Sequence, residues 1–161
     1  MNAAKKDFLQ HQFIGLLRQI SSDTKPKWGK MTLQQMIEHF ADSVRIASGK
    51  TVHPNIITPA DHLPRLKDFL MSEKPFKENT LNALMPELPA PVKNISIEEA
   101  IKELQTEIEH FFSFFENNNL QTTRNPFFGD LNFEENVQLL HKHALHHLKQ
   151  FGLTLNNETT I

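Results

Sequence analysis

Apolar residues recur at three- and four-residue intervals in four segments of the chain, the period of a helix with one buried face rather than the alternation of a strand. The first segment carries Leu9, Phe13, Leu16, Leu17 and Ile20. The second follows Thr32, an expected N-cap with Gln35 at the capping-box position, and repeats Leu33, Met36, Ile37, Phe40, Val44 and Ala47 up to Gly49. The third opens on Ser96 and Glu99 in the same relation and runs through Ile101, Leu104, Ile108, Phe111, Phe112 and Phe115 to Asn117, Asn118 and Asn119. The fourth starts at Asn132 with Glu135 and continues through Phe133, Val137, Leu140, Ala144, Leu148 and Phe151 to Gly152. No segment reads as a strand, so the expected class is all-α.

Nearly fifty residues separate the second and third segments, and they hold seven of the nine prolines. One short amphipathic helix is predicted there, from His62 to Met71, on Leu63, Leu66, Phe69 and Leu70. A connection of that length is uncommon and crosses a bundle end or covers a site. It permits neighbouring helices to run parallel. The tail from Thr154 to Ile161 is expected to fray.

Composition narrows the chemistry. A chain of 161 residues suits one domain, taken as 1–161, with a full core. A net charge of -2 from 17 basic and 19 acidic residues lacks the basic footprint of a nucleic-acid binder. Cysteine is absent, which removes disulfides, iron–sulfur clusters and thiol nucleophiles and leaves imidazole and carboxylate as metal donors. Neither a leader between Met1 and Phe8 nor a membrane span of roughly 18 apolar residues is evident, so a cytoplasmic protein is expected.

The anomaly is histidine: nine in all, four of them between His141 and His147. His143 and His147 stand four apart, a spacing that sets two rings about 6 Å apart along a helix and about 40° apart around it. On a wheel of about 100° per residue both lie at the margin of the apolar face of the fourth segment, whereas His146 and His141 fall elsewhere. His39 takes the equivalent marginal position on the second segment. If those helices are neighbours, the three rings can meet along one seam, and a three-histidine set leaves coordination positions open for water or substrate. The plainer reading is a set of half-buried or surface histidines, and spacing alone does not decide between the two.

Trp28, Met31, Thr32, Gln35, Met36, His39 and Asp42 (W-x-x-M-T-x-x-Q-M-x-x-H-x-x-D), with His143, His147, Gln150, Phe151 and Gly152 (H-x-x-x-H-x-x-Q-F-G), resemble the DinB/YfiT-like superfamily. The likeness is nearest to an uncharacterised branch that shares the Leu63-Pro64 to Phe76 segment and the Asn125-Pro126-Phe127-Phe128-Gly129 approach to the last helix, and it covers nearly the whole chain. It implies a four-helix up-down-down-up bundle, commonly a homodimer. It also implies one divalent transition metal ion, nickel, zinc, iron or manganese, held by His39, His143 and His147. Gln150 matches a family position one turn beyond the last ligand, where it can hydrogen-bond a ligand or bound water, or simply face solvent.

Two classes of function follow: a metal-dependent enzyme acting on a small molecule, as a hydrolase or a thiol-cofactor-dependent transferase or isomerase, and a non-catalytic bundle that binds a metal or small molecule. Asp42 and Glu38 are the candidate general bases, although both read as solvated surface charges on the wheel. Glu107 and His110 form one Glu-x-x-His, where a di-iron carboxylate site needs two, and read as an exposed pair. Phe114 is the member of the Phe111–Phe115 cluster left facing outward, under the long loop or in a subunit contact. Trp28 is expected to plug a bundle end, and His11, His53 and His62 read as surface residues.

Overall fold

The computed structural model describes residues 2–80 and 84–155, and these are mostly helical. Residues 156–161, most of the tail expected to fray, lie outside the described residues. The first apolar segment forms α1 (Ala3–Asp7), a π-helical turn (Phe8–Gln12) and α2 (Phe13–Gln19) in unbroken succession. A five-residue step in a regular helix rotates about 140° off a face, and the wider turn absorbs that rotation. Phe8 and Phe13 consequently bury together, with ring centroids 5.9 Å apart.

The capping signals place the starts of three further helices. Thr32 and Gln35 form a reciprocal capping box at the start of α3 (Leu33–Ala47), which gives way to Gly49 at φ +76°. Asn132 and Glu135 do the same for α6 (Phe133–Gln150), which is followed by Gly152 at φ +87°. Ser96 caps α5 (Ile97–Asn117) by accepting from the Glu99 amide at 3.1 Å, but the Glu99 carboxylate turns to Lys102 instead of completing the box. The short helix predicted from His62 is α4 (Leu63–Met71), entered through a 3₁₀ turn at Ala60–His62.

The expectation of a chain without strands is corrected. β1 (Thr123–Asn125) and β2 (Gly129–Leu131) pair antiparallel, with Arg124 opposite Asp130 and joined to it by a salt bridge. The strands are three residues each, too short to show alternation, and they are held by tertiary bonds. Thr123 donates to the Ala47 carbonyl at 2.8 Å and accepts from Asn136 at 2.9 Å. The Asn125 side chain accepts the Phe127 and Phe128 amides, which closes the turn.

α3 packs on both α5 and α6, and the N-terminal helical stretch packs against the same two helices. Phe13, Phe40, Phe111 and Phe115 are fully buried in the core between them. Phe114 is half-buried against that core, edge-on to Phe115 at 4.9 Å. α4 is tied to α6 by Lys142, a buried amine that donates to the carbonyls of Phe69, Ser72 and Lys74 at 3.0, 2.7 and 2.6 Å and so caps the end of α4.

Two acids read as exposed are buried instead. Glu38 is 6 % exposed and accepts from the amides of Lys93 and Asn94 and from the side chains of Asn94 and Gln34, pinning the chain before α5 onto α3. Burial by itself would raise its carboxyl, but those donors outweigh it and hold the group below the ordinary carboxylate range. Glu107 is 7 % exposed and is engaged by Arg45 and Lys50, while Arg45 also pairs with Glu103 and Asp42. A carboxylate so occupied by cations does not serve a di-iron site. His110 is half-buried.

Candidate metal centre

Positions 39, 143 and 147 sit on the faces of α3 and α6 that turn toward each other, and the three rings meet there. The Nε2 atom of His143 lies 3.3 Å from Nε2 of His39 and 2.7 Å from Nε2 of His147. One ligating nitrogen from each ring lies within 4.8 Å of the others. Among the described residues this is the group of histidine, cysteine and acidic side chains able to share one ion. Phe40, the core neighbour of His39 on α3, lies against the His143 ring at 5.0 Å and fixes it from behind.

Gln150 determines which nitrogen of His147 faces the centre. Its Nε2 donates to the Trp28 carbonyl at 2.9 Å, so its Oε1 is the atom left to meet Nδ1 of His147 at 2.7 Å. Nδ1 therefore carries the proton and Nε2 presents its lone pair inward. The close approach depends on Gly29, at φ +76°, where an added Cβ would stand 3.1 Å from Gln150 Nε2. The Lys27 amide donates to the Gln150 carbonyl at 2.8 Å, so backbone and side chain both clasp the end of α6 to this loop. Trp28, expected as a plug at a bundle end, is half-buried beside the centre, edge-on to His146 at 5.3 Å.

The donor set fits a divalent transition ion. A tetrahedral ion with nitrogen ligands at about 2.0–2.1 Å sets those nitrogens roughly 3.3–3.4 Å apart. The His39 to His143 spacing of 3.3 Å matches that figure, and His143 and His147 are closer by an amount that a small ring rotation provides.

The rings open onto a cavity of about 730 Å³. α4 and the segment after it contribute Leu66 and Phe76, the hairpin contributes Phe127 and Phe128, and α3 contributes Ile46. Sequence reasoning found no role for these aromatics because three separate stretches bring them together. A smaller cavity of about 210 Å³ lies alongside and also borders His39 and Asp42. Of the other histidines, His53 and His146 border the large cavity, His141 packs on Phe8 at 5.0 Å, and His11 and His62 are exposed. Asp42 is exposed and pairs with Arg45 at 2.7 Å and Lys93 at 3.6 Å.

Burial holds the three rings neutral. It pushes His39 and His143 down from 6.5, with His147 and His39 nearby adding to the effect at His143. It takes His147 down to about 3, aided by His39 and opposed by the Gln150 hydrogen bond. Burial also lowers His141 to about 4. The unfolded chain takes up these protons near pH 6.5, whereas the folded chain refuses them until far lower. The ion-free protein is therefore expected to lose stability progressively as pH falls from about 6.5 toward about 3. A thermal midpoint measured by calorimetry that stays level between pH 7 and pH 4 would contradict this.

Residues 9–151 match the family model of the DinB superfamily. No curated protein and no solved structure matches the chain. No helix among the described residues is long and apolar enough to cross a membrane.

Proposed function

The chain belongs to the DinB superfamily, and from that membership and the geometry above we propose that it is a divalent-metal-binding protein acting as a metal-dependent hydrolase on a small molecule. One observation carries the reading: three Nε2 atoms from two helices, brought together at the edge of a large cavity with one of their tautomers fixed from outside. His39, His143 and His147 would hold one ion, and three protein ligands leave coordination positions toward the cavity. An all-imidazole set suits zinc, nickel or iron better than manganese, which favours oxygen donors. A bound ion would supply Lewis acidity, polarising a substrate carbonyl or phosphoryl oxygen and lowering the pKa of bound water.

The remaining work falls to the chain's own groups. Gln150 keeps the Nδ1 proton of His147 in place and so keeps Nε2 available. Glu38 is unsuited as a general base because its oxygens are filled by amide donors. Asp42 is the carboxylate among the described residues on the cavity wall, close enough for its charge to act on His39, but it is paired with Arg45 and Lys93, so no general base is assigned. Gln150→Leu is expected to weaken metal affinity by roughly 10- to 100-fold, the usual cost of losing an orienting partner. Zinc titration calorimetry reads the change, and wild-type affinity would remove Gln150 from the site.

The four long helical stretches are read as an up-down-down-up bundle, supported by the packing of α3 on α5 and α6. A cytoplasmic homodimer completes the proposal, on the family resemblance and the absence of cysteine, and light scattering tests the dimer. The alternative, a thiol-dependent transferase or isomerase or a bundle that only binds its ligand, is favoured by the scarcity of carboxylates on the cavity wall. Zinc- or nickel-loaded protein assayed on ester, amide and thiol-conjugate panels separates the readings. Ester or amide turnover that disappears in His147→Ala supports the hydrolase, and thiol-conjugate turnover the transferase. Silence on all panels with metal binding intact favours the non-catalytic bundle.

A further inference from the structure

The polar side chains around the large cavity are mostly spoken for. Ser43 donates to the His39 carbonyl at 3.2 Å, and Thr80 donates to the Lys77 carbonyl at 2.8 Å. The Asn125 side-chain oxygen is taken by the Phe127 and Phe128 amides, and both ends of the Gln150 amide are occupied. Asp42 is paired with Arg45 and Lys93. Lys77 and Asn79 border the cavity but are exposed to solvent, so they form a wet margin and not a recognition surface. The rest of the wall is mostly aromatic and aliphatic, with Phe76 lying between Phe69 and Phe128 at centroid distances of 5.8 and 6.4 Å. The polar side chains set into it are the half-buried Thr58, His53 and His146, the last bonded to the Phe76 backbone.

A wall that is mostly apolar and carries few free hydrogen-bonding groups selects by shape and desolvation, and a polyhydroxylated ligand entering it would lose more bonds to water than the wall replaces. A volume of about 730 Å³ is that of a drug-sized ligand site. We propose that this cavity takes a small molecule with an alkyl or aryl body and a single oxygen-bearing end, the body lying against Phe76, Phe127 and Phe128 and the polar end at His39, His143 and His147. Sugars, nucleotides and highly charged metabolites are expected to bind more weakly than such a molecule. The placement of the polar end rests on the metal-site reading above, whereas the nature of the body does not.

Trp28 is the one tryptophan of the chain and borders the cavity, so its fluorescence reports occupancy. The probes are the primary alkanols from ethanol to octanol, with glycerol and sorbitol as polar counterparts, titrated by fluorescence and calorimetry. Affinity is expected to rise about three- to fourfold per added methylene until the cavity is filled, and Phe128→Ala is expected to weaken octanol about tenfold by removing part of that wall. Affinity that is flat with chain length, or polyols that bind as tightly as alkanols, would overturn the assignment.

Hexanohydroxamic acid against hexanol then locates the polar end, with zinc binding itself measured independently by calorimetry. The hydroxamic acid should bind at least tenfold tighter than hexanol with zinc present and no tighter without it. Equal affinities with zinc bound would overturn the placement of the polar end. Failure to bind zinc, with the alkanol length dependence intact, would overturn the metal reading and that placement together while supporting the apolar body.

Discussion

His147→Ala is expected to lower zinc or nickel affinity by more than about 100-fold, beyond the range in which loss of an orienting partner falls. The substitution removes the Nε2 atom that stands 2.7 Å from His143 and the Nδ1–H group that satisfies Gln150. His39 and His143 would remain as a two-nitrogen set, which holds a divalent ion far less well in competition with water. The variant should fold, because Phe40 and the core around α6 do not depend on the imidazole, and far-ultraviolet circular dichroism checks this. Calorimetric titration giving wild-type affinity in a folded His147→Ala protein would defeat the assignment of the centre.

The largest expected loss of stability comes from a site remote from the histidines. Phe111 on α5 is fully buried and touches Phe112, Phe115 and Phe133 at centroid distances of 5.1, 5.3 and 5.8 Å. Phe111→Ala deletes the hub of this aromatic cluster and leaves a void that rings anchored on two helices cannot close. About 3–5 kcal/mol of stability should be lost, which for a chain of this length corresponds to a fall in Tm of roughly 10 °C or more. Metal affinity measured below the new transition should stay near the wild-type value. A Tm shift of a degree or two would mean that the cluster is looser than its distances indicate.

The two predictions differ in how far the sequence foreshadows them. The boundaries of α3 and α6 follow from Thr32 with Gln35 and Asn132 with Glu135, because a capping box is a local device whose partners lie three residues apart. The three histidines could be singled out because their positions on the wheel depend only on helix geometry. Glu38 and Glu107 show where that wheel fails: each sits off the apolar stripe, yet each is buried by a segment from elsewhere, Lys93 and Asn94 in one case and Arg45 and Lys50 in the other. The hairpin is equally hidden, since its order comes from Thr123 bonding to Ala47 and Asn136. The cavity wall is assembled from Phe76, Phe127 and Phe128, and no periodic signal links those positions.

The clasp of Gln150 on Trp28 and of Lys27 on the last turn of α6 joins the centre to a surface connection more than a hundred residues earlier in the chain. Coupling of that kind is reciprocal: whatever steadies the His147 ring must steady Lys27, and whatever loosens the connection must cost the ring its aim. The Lys27 amide, bonded to the Gln150 carbonyl at 2.8 Å, should exchange with deuterium more slowly once zinc is added. Occupancy of the histidine centre would then be legible from outside the molecule, in the protection of one lysine amide that never touches the ion.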